Sequence, residues 1–129
     1  MSLVFFSFSE TDREFLEKII THAHDKSYDS LDFRVAPLLD RWDTTSKTVM
    51  QNFILKIMKT TARTIVFIGD DTIESKWVPV EVDLSIELKH PVYAMRLKDS
   101  KGEPPECLLE HGIRVEDWDI EVLQYIATK

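Results

Sequence analysis

The chain has 129 residues, of which 43% are hydrophobic and 30% are charged, and only three are glycines. This length and composition predict one globular domain over residues 1–129 and exclude a fibrous or low-complexity protein. The formal net charge is −7, and no cluster of Lys or Arg offsets it. This argues against nucleic acid as the principal partner, because nucleic-acid binding relies on cationic side chains that displace counterions from the phosphates.

Cysteine content and hydropathy bear on the cellular compartment. Cys107 is the only cysteine, so the sequence excludes an internal disulfide, a zinc site made from cysteines and a CxxC redox motif. No stretch approaches the roughly 20 apolar residues that span a bilayer, and the first residues lack the pattern of a secretion signal. We therefore expect a cytoplasmic protein that does not enter a membrane.

The first predicted elements in chain order are a strand and a helix. The apolar run from Leu3 to Phe8 predicts the strand, and the spacing of Ser9 and Asp12 predicts a capping box that opens the helix directly after it. The apolar face of this helix consists of Phe15, Leu16, Ile19, Ile20 and Ala23. A short second strand is expected over residues 32–36, because Pro37 ends the weak alternation there.

The middle of the chain predicts a loop, a helix and a buried strand. The loop runs from Pro37 to Lys47. The helix that follows has its apolar positions at Met50, Phe53, Ile54, Ile57 and Met58. The continuous apolar run from Thr64 to Ile68, which ends at Gly69, Asp70 and Asp71, is typical of a central strand buried on both faces.

The remainder of the chain continues this alternation. The predicted elements are a helix over 77–88, a strand over 92–97, a polar loop over 98–105, a strand over 113–115 and a closing helix over 119–127. Strands that alternate with helices predict an α/β fold, namely a flavodoxin-like, three-layer open parallel sheet of about five strands with helices on both faces. Ligands of such sheets bind at the carboxyl ends of the strands, here residues 7–11 and 69–72.

Two segments resemble the TIR-like domain family. Residues 4–12 match a first strand that ends in a Ser-aromatic-Ser segment followed by an acidic residue. Residues 65–82 match a buried strand, a polar loop, the Ser75-x-Trp77 pair and Glu81 four residues past the tryptophan. With Trp118 and Asp119, the resemblance covers nearly the whole chain, and it is greatest to the bacterial branch that includes the Thoeris anti-phage sensor proteins.

Three positions depart from the family pattern. Val78 stands where TIR domains often have Cys, and Val82 stands where they have Leu. Neither position needs to take part in chemistry. Pro79 is the less usual residue, because a proline beyond the first helical turn would remove a backbone hydrogen bond close to Glu81.

The resemblance implies an activity and its residues. TIR-like enzymes cleave the nicotinamide glycosidic bond of NAD with the glutamate that Glu81 matches. The resemblance therefore implies that NAD is a substrate and that no cofactor is needed. Whether the ADP-ribose product is cyclised stays open. A lone carboxylate suffices chemically, because it can stabilise an oxocarbenium-like state while nicotinamide leaves as a neutral base. The substrate-binding residues implied are Phe6, Ser7, Phe8, Ser9, Asp70, Ser75 and Trp77. In a helix, Trp77 and Glu81 would lie on the same face.

The residues also permit structural interpretations and a second function. Trp77, Phe6 and Phe8 can belong to the core, Ser9 can be a helix cap and Glu81 a solvated helix residue. The alternative function implied by the resemblance is a non-enzymatic module for homotypic assembly. Its interface would lie in the loop of residues 37–47, at Leu38, Leu39 and Trp42.

Cations, metals and other families complete the predictions. Arg34, Arg41 and Lys47 are the cations nearest the expected site and could contact a pyrophosphate, although each also fits a surface charge. No metal is expected, because the four histidines lack ligand spacing and paired aspartates after a strand are more often turn formers. A flavodoxin or response-regulator relative would share the topology, but the first strand lacks an acidic pair and a phosphate-binding loop.

Overall fold

The computed structural model describes residues 3–24, 33–38 and 47–129. Its strands are β1 (Leu3–Ser7), β2 (Arg34–Val35), β3 (Arg63–Ile68), β4 (Val92–Arg96) and β5 (Val115–Glu116). They form one sheet in the order β2-β1-β3-β4-β5, and every neighbouring pair is parallel. This order confirms the flavodoxin-like prediction and places the topological switch point between β1 and β3.

Helices cover both faces of the sheet, as predicted. They are α1 (Arg13–His24), α2 (Lys47–Met58), α3 (Trp77–Glu87), α4 (Glu106–Glu110) and α5 (Ile120–Thr128), with short 3₁₀ helices at Glu10–Asp12 and Thr72–Glu74. One apolar cluster joins the sheet to α1 and α5, and two others join it to α2, α3 and α4. None of the described helices is both long enough and apolar enough to serve as a membrane span.

Alternation along β1 assigns its side chains to the two layers. Val4, Phe6 and the following Phe8 lie in the cluster under α1 and α5, whereas Phe5 lies in the cluster under α2. Successive side chains of a strand point to opposite faces. Ser7, the last residue of β1, therefore faces the layer that contains α2 and α3.

The predicted capping box after β1 is wrong. Ser9 makes no side-chain cap hydrogen bond, and its Oγ lies 3.2 Å from Thr11 Oγ1 instead. The Ser9 carbonyl accepts a hydrogen bond from the Asp12 N–H, which closes a 3₁₀ turn and delays the start of α1 to Arg13. The Asp12 side chain is thereby free to turn away from the helix and towards Gly69.

The apolar face of α2 is narrower than predicted. Met50, Ile54 and Met58 are buried at four-residue spacing, but Phe53 is 45% exposed. With about 100° of rotation per residue, Phe53 lies about 100° from Ile54, outside the buried stripe. The sequence pattern therefore overestimated the width of this face.

The last elements differ from the sequence prediction in their bounds. The predicted strand over 113–115 is β5 at Val115–Glu116, and α4 was not predicted because a helix this short has no measurable periodicity. The closing helix begins at Ile120, since Asp119 is its N-cap and accepts hydrogen bonds of 2.9 and 3.4 Å from two backbone N–H groups.

The loop after β4 is clamped onto the turn after β3. Gly102 lies so close to Gly69 that a Cβ at Gly102 would be 2.0 Å from the Gly69 carbonyl oxygen. Asp70 Oδ1 accepts hydrogen bonds from Ser100 Oγ at 3.2 Å and from the Lys101 N–H at 3.0 Å. The Arg96 guanidinium donates to the Gly102 carbonyl. These contacts, which we call the loop clamp, fix the turn that leads into α3.

Asp12 packs against the other side of Gly69. A Cβ at Gly69 would lie 2.3 Å from Asp12 Oδ2, and this oxygen is buried without a hydrogen-bond partner. Burial, followed by the negative charges of Asp71 and Asp70, raises the pKa of the Asp12 carboxyl above its ordinary value. The contact is therefore unfavourable for the ionised carboxylate.

We expect Gly102→Ala to lower the free energy of unfolding by about 1–3 kcal/mol, because the added methyl group collides with backbone rather than with a movable side chain. The matched control is Gly112→Ala, where nothing lies within 4 Å of the new Cβ and the cost of about 1 kcal/mol comes from its positive φ of 66°. Urea unfolding measures both. A loss at Gly102 no larger than that at Gly112 would contradict the loop clamp.

We expect Asp12→Asn to stabilise the fold at pH 7 by no more than about 1 kcal/mol, since solvent screens a partly buried charge. A raised carboxyl pKa means that the folded state binds the proton more tightly than the unfolded state, so the ionised form of Asp12 opposes folding above that pKa. This cost disappears below the ordinary value of 3.8. Thermal unfolding of Asp12→Asn at pH 7 and pH 3 tests this expectation, with Asp117→Asn as the control. An equal gain in stability of Asp12→Asn at both pH values would disprove it.

Candidate functional site

A buried carboxylate and a buried hydroxyl meet where β1 ends. Glu81 lies in the second turn of α3 and is only 1% exposed, and Ser7 is fully buried. Ser7 Oγ donates a hydrogen bond of 2.7 Å to Glu81 Oε1, across 74 residues of sequence. This distance is typical of a hydrogen bond between two oxygen atoms. The structure thus brings two predicted site residues together at the carboxyl edge of the sheet, beside the switch point.

The segment before Glu81 determines where α3 begins. Ser75 Oγ accepts a hydrogen bond of 3.3 Å from the Val78 N–H, an amide that has no partner within the first helical turn. Pro79 is the third residue of α3, where its missing N–H removes no intrahelical hydrogen bond. Ser75 therefore stabilises the start of the helix, and Pro79 leaves the backbone around Glu81 intact.

Trp77 joins α3 to α2. It is the first residue of α3, one turn before Glu81, and it is partly buried. Its side chain packs against a cluster formed by Phe5, Met50, Ile54 and Met58. The structure thus places Trp77 against the core, which was the structural interpretation of this residue. Together with α2, it covers the side of β1 on which Glu81 lies.

A second buried hydroxyl pair lies one helical turn beyond Glu81. Ser85 Oγ donates to the Glu81 backbone carbonyl at 2.8 Å and lies 2.7 Å from Thr64 Oγ1 and 3.3 Å from Met58 Sδ. Both hydroxyl-bearing residues are fully buried. Sequence reasoning missed them, because Thr64 was counted within an apolar run. The four-residue spacing of Glu81 and Ser85 was the available signal, since it puts both on one helix face.

Phe6 and Phe8 lie on the opposite face of the sheet from Glu81. Both are buried under α1 and α5, where the Phe6 and Phe67 rings meet with their centroids 4.6 Å apart. The alternation of β1 separates them from Ser7. The structure therefore does not bring these two aromatic rings into the crevice expected for them, and instead places them in the core.

The Asp70 carboxylate lies within the loop clamp. The Lys101 N–H, followed by the Ser100 hydroxyl, lowers the pKa of Asp70, because both donate to its carboxylate. A cleft of about 320 Å³ adjoins it and is lined in part by Asp12 and Leu97. Ser9, which is buried, uses its hydroxyl towards Thr11. Neither Asp70 nor Ser9 is therefore shown in contact with the Ser7 and Glu81 pair.

The predicted interface and cations are only partly described. Leu39, Trp42 and Arg41 lie outside the described residues. Leu38 is partly buried against the cluster under α1, rather than exposed as expected. Lys47 is exposed at the start of α2.

Arg34 is not near the expected site. It pairs with Leu3 at the start of β1, four residues before Ser7, which corresponds to about 13 Å along the strand. The register of β2 therefore keeps this cation away from the carboxyl edge of the sheet, and the expectation that it lies near the site is wrong.

Metal-ligating and nucleophilic side chains offer no second site in the part of the chain that is described. Among those residues, no group of three or more His, Cys, Asp or Glu could hold a metal ion. Burial, and secondarily the charge of Asp83, raises the pKa of the Cys107 thiol, which disfavours its nucleophilic thiolate form. The Ser7 and Glu81 pair remains the candidate site.

Comparison with known proteins identifies the family. The family model for the Thoeris protein ThsB, TIR-like domain, matches residues 5–102, which contain both Ser7 and Glu81. A solved structure of the TIR domains of the activated Roq1 resistosome, which directly recognises the pathogen effector XopQ, aligns with a TM-score of 0.52 at 11% identity. That alignment covers 98% of this chain and 69% of the other, and it shows the fold alone. No curated protein matches significantly. The chain belongs to the TIR-like domain family of the Thoeris protein ThsB.

Proposed function

We propose that this TIR-like signalling domain consumes NAD, with Glu81 acting on the bond between nicotinamide and ribose. The observation that carries the proposal is a glutamate, 1% exposed, held by Ser7 at the carboxyl end of β1. This is the position where open parallel sheets bind ligands. The family match supports a role for the activity in anti-phage defence signalling.

The chemistry needs one carboxylate and no metal ligand from the chain. The glycosidic C–N bond breaks with its electron pair going to the nicotinamide nitrogen, which leaves as a neutral base. The ribose carbon becomes oxocarbenium-like, and the carboxylate of Glu81 stabilises its positive charge. Addition of water then gives ADP-ribose and a proton, whereas attack by a nucleophile within the same molecule gives a cyclic product.

Burial strengthens this electrostatic effect and also restricts access. A carboxylate away from water interacts more strongly with a developing positive charge, because the local dielectric constant is low. Glu81 is nevertheless too buried for direct contact with a substrate in the conformation described. We infer that the packing of α2 and Trp77 against this side of β1 has to loosen before NAD reaches the carboxylate. Assembly of several copies is a natural trigger for such opening.

A second candidate function is a non-enzymatic assembly module. The observation that favours it is an apolar pair on α2, where Val49 is 63% and Phe53 is 45% exposed. These residues are four apart, so they lie on the same side of the helix. Exposed apolar surface of this kind is typical of protein interfaces. Glu81 would then have a structural role only.

If the protein is an enzyme, we expect the purified protein to release nicotinamide from NAD. The rate per protein molecule should be higher at high protein concentration. Glu81→Gln should reduce the rate by at least about 100-fold, because the neutral amide cannot stabilise a cationic transition state. Chromatographic assay of nicotinamide measures the rate. Glu87→Gln, an exposed position on the same helix, is the matched control and should retain full activity.

Two outcomes would contradict the proposal. One is nicotinamide release that continues unchanged in Glu81→Gln, which would place the reaction elsewhere. The other is the absence of release at every protein concentration, combined with no effect of NAD on the melting temperature, which would favour the assembly module.

For the assembly module, we expect Phe53→Asp to weaken concentration-dependent self-association by about tenfold or more, because it places a charge in an apolar contact. Analytical ultracentrifugation measures the association constant. Asn52→Asp adds the same charge at the neighbouring exposed position and serves as the control. Equal association constants for the two variants would rule out this side of α2 as the interface.

A further inference from the structure

We propose that Ser7 is a positioning residue, which holds the Glu81 carboxylate in one orientation for the reaction and does not donate a hydrogen bond to NAD. This inference rests on the proposed function. It assigns Ser7 a role different from the substrate contact that the resemblance implies. The geometry of the Ser7 to Glu81 hydrogen bond carries it.

The donor is fixed to the most rigid part of the fold. Ser7 is the last residue of β1 and pairs with Val66 of the central strand β3, so the sheet sets the position of its Cα. Both Ser7 and Glu81 are almost completely buried. A hydroxyl held in this way can restrain the carboxylate of a long side chain before substrate arrives, which removes an ordering cost from the reaction.

The hydroxyl group cannot serve two acceptors at once. A serine has one O–H hydrogen, and that of Ser7 is donated to Glu81 Oε1 at 2.7 Å. Donation to a ribose hydroxyl or a phosphate would require Ser7 to release the carboxylate. Loss of the hydroxyl should therefore affect the chemical step more than substrate binding.

Ser85 provides a matched control on the same helix. Like Ser7 it is a fully buried serine that hydrogen-bonds to Glu81, but it donates to the backbone carbonyl and not to the carboxylate. Ser85→Ala therefore removes the same atom from the same layer of the protein. It leaves the carboxylate hydrogen bond in place.

The test compares steady-state nicotinamide release by wild type, Ser7→Ala, Ser7→Thr and Ser85→Ala. We expect Ser7→Ala to lower kcat by about 10- to 100-fold with little change in KM, because a misplaced catalytic group costs rate. Ser7→Thr retains the hydroxyl and should recover at least part of kcat, and Ser85→Ala should keep kcat near wild type. An unchanged kcat in Ser7→Ala, or a rise in KM alone, would overturn the inference.

A double-mutant cycle tests the hydrogen bond independently of activity. Melting temperatures are compared for Ser7→Ala, Glu81→Met and the double variant, since methionine removes both carboxylate oxygens at similar length. We expect the double variant to lose clearly less than the sum of the two single losses, whereas additive losses would contradict the positioning role. If wild type releases no nicotinamide at any protein concentration and NAD does not change its melting temperature, the proposed function fails, and this cycle alone decides whether Ser7 holds the carboxylate.

Discussion

The hydrogen bond between Ser7 and Glu81 joins the helix layer to the central sheet, and the candidate site depends on it. The bond forms because β1 and β3 pair in parallel from Val4 to Ser7, which puts the two strand ends side by side. The loop clamp then fixes the turn after β3, so that α3 starts above β1. Ser75 Oγ accepts a hydrogen bond from the Val78 N–H in the first turn of α3, and this helix brings Glu81 over the end of β1.

The two faces of the sheet differ in their buried polar groups. The face under α1 and α5 is built mainly from apolar side chains such as Phe6 and Phe67, and its buried Arg63 donates a hydrogen bond to the Ile126 carbonyl of α5. The face under α2 and α3 contains a buried polar layer formed by Ser7, Thr64, Glu81 and Ser85. Within this layer, Ser7 bonds to the Glu81 carboxylate, whereas the Ser85 hydroxyl bonds to the helix backbone and lies beside Thr64. The pair that contains the carboxylate is therefore the candidate site, and the Ser85 and Thr64 pair joins α3 to β3.

The sequence predicted the topology well, because long-range pairing follows from strong local patterns. The apolar run around Val66 indicated a central strand, and the alternation of helices and strands then left few arrangements. Glu81 was found through its family context and not through its spacing, since a single glutamate in a helix carries no signal by itself. The structure places it beside Ser7 at the end of β1.

The failures have equally specific causes. Local pattern suggested that Asp12 caps α1, but a contact with Gly69, distant in sequence, determines where its side chain lies. The consecutive residues Phe6, Ser7 and Phe8 were assigned to one crevice. Strand alternation instead puts Phe6 and Phe8 on one face of the sheet and Ser7 on the other. The exposure of Phe53 depends on how much of α2 the sheet covers, which the helical period alone does not show.

The most direct test of the central claim is a crystal structure of the protein with a non-cleavable NAD analogue. We predict density for the nicotinamide ribose within hydrogen-bond distance of the Glu81 carboxylate, with Ser7 still bound to that carboxylate and with α2 or Trp77 displaced to admit the ligand. Density for the analogue in the cleft lined by Asp12 and Leu97, with Glu81 still buried, would contradict the account.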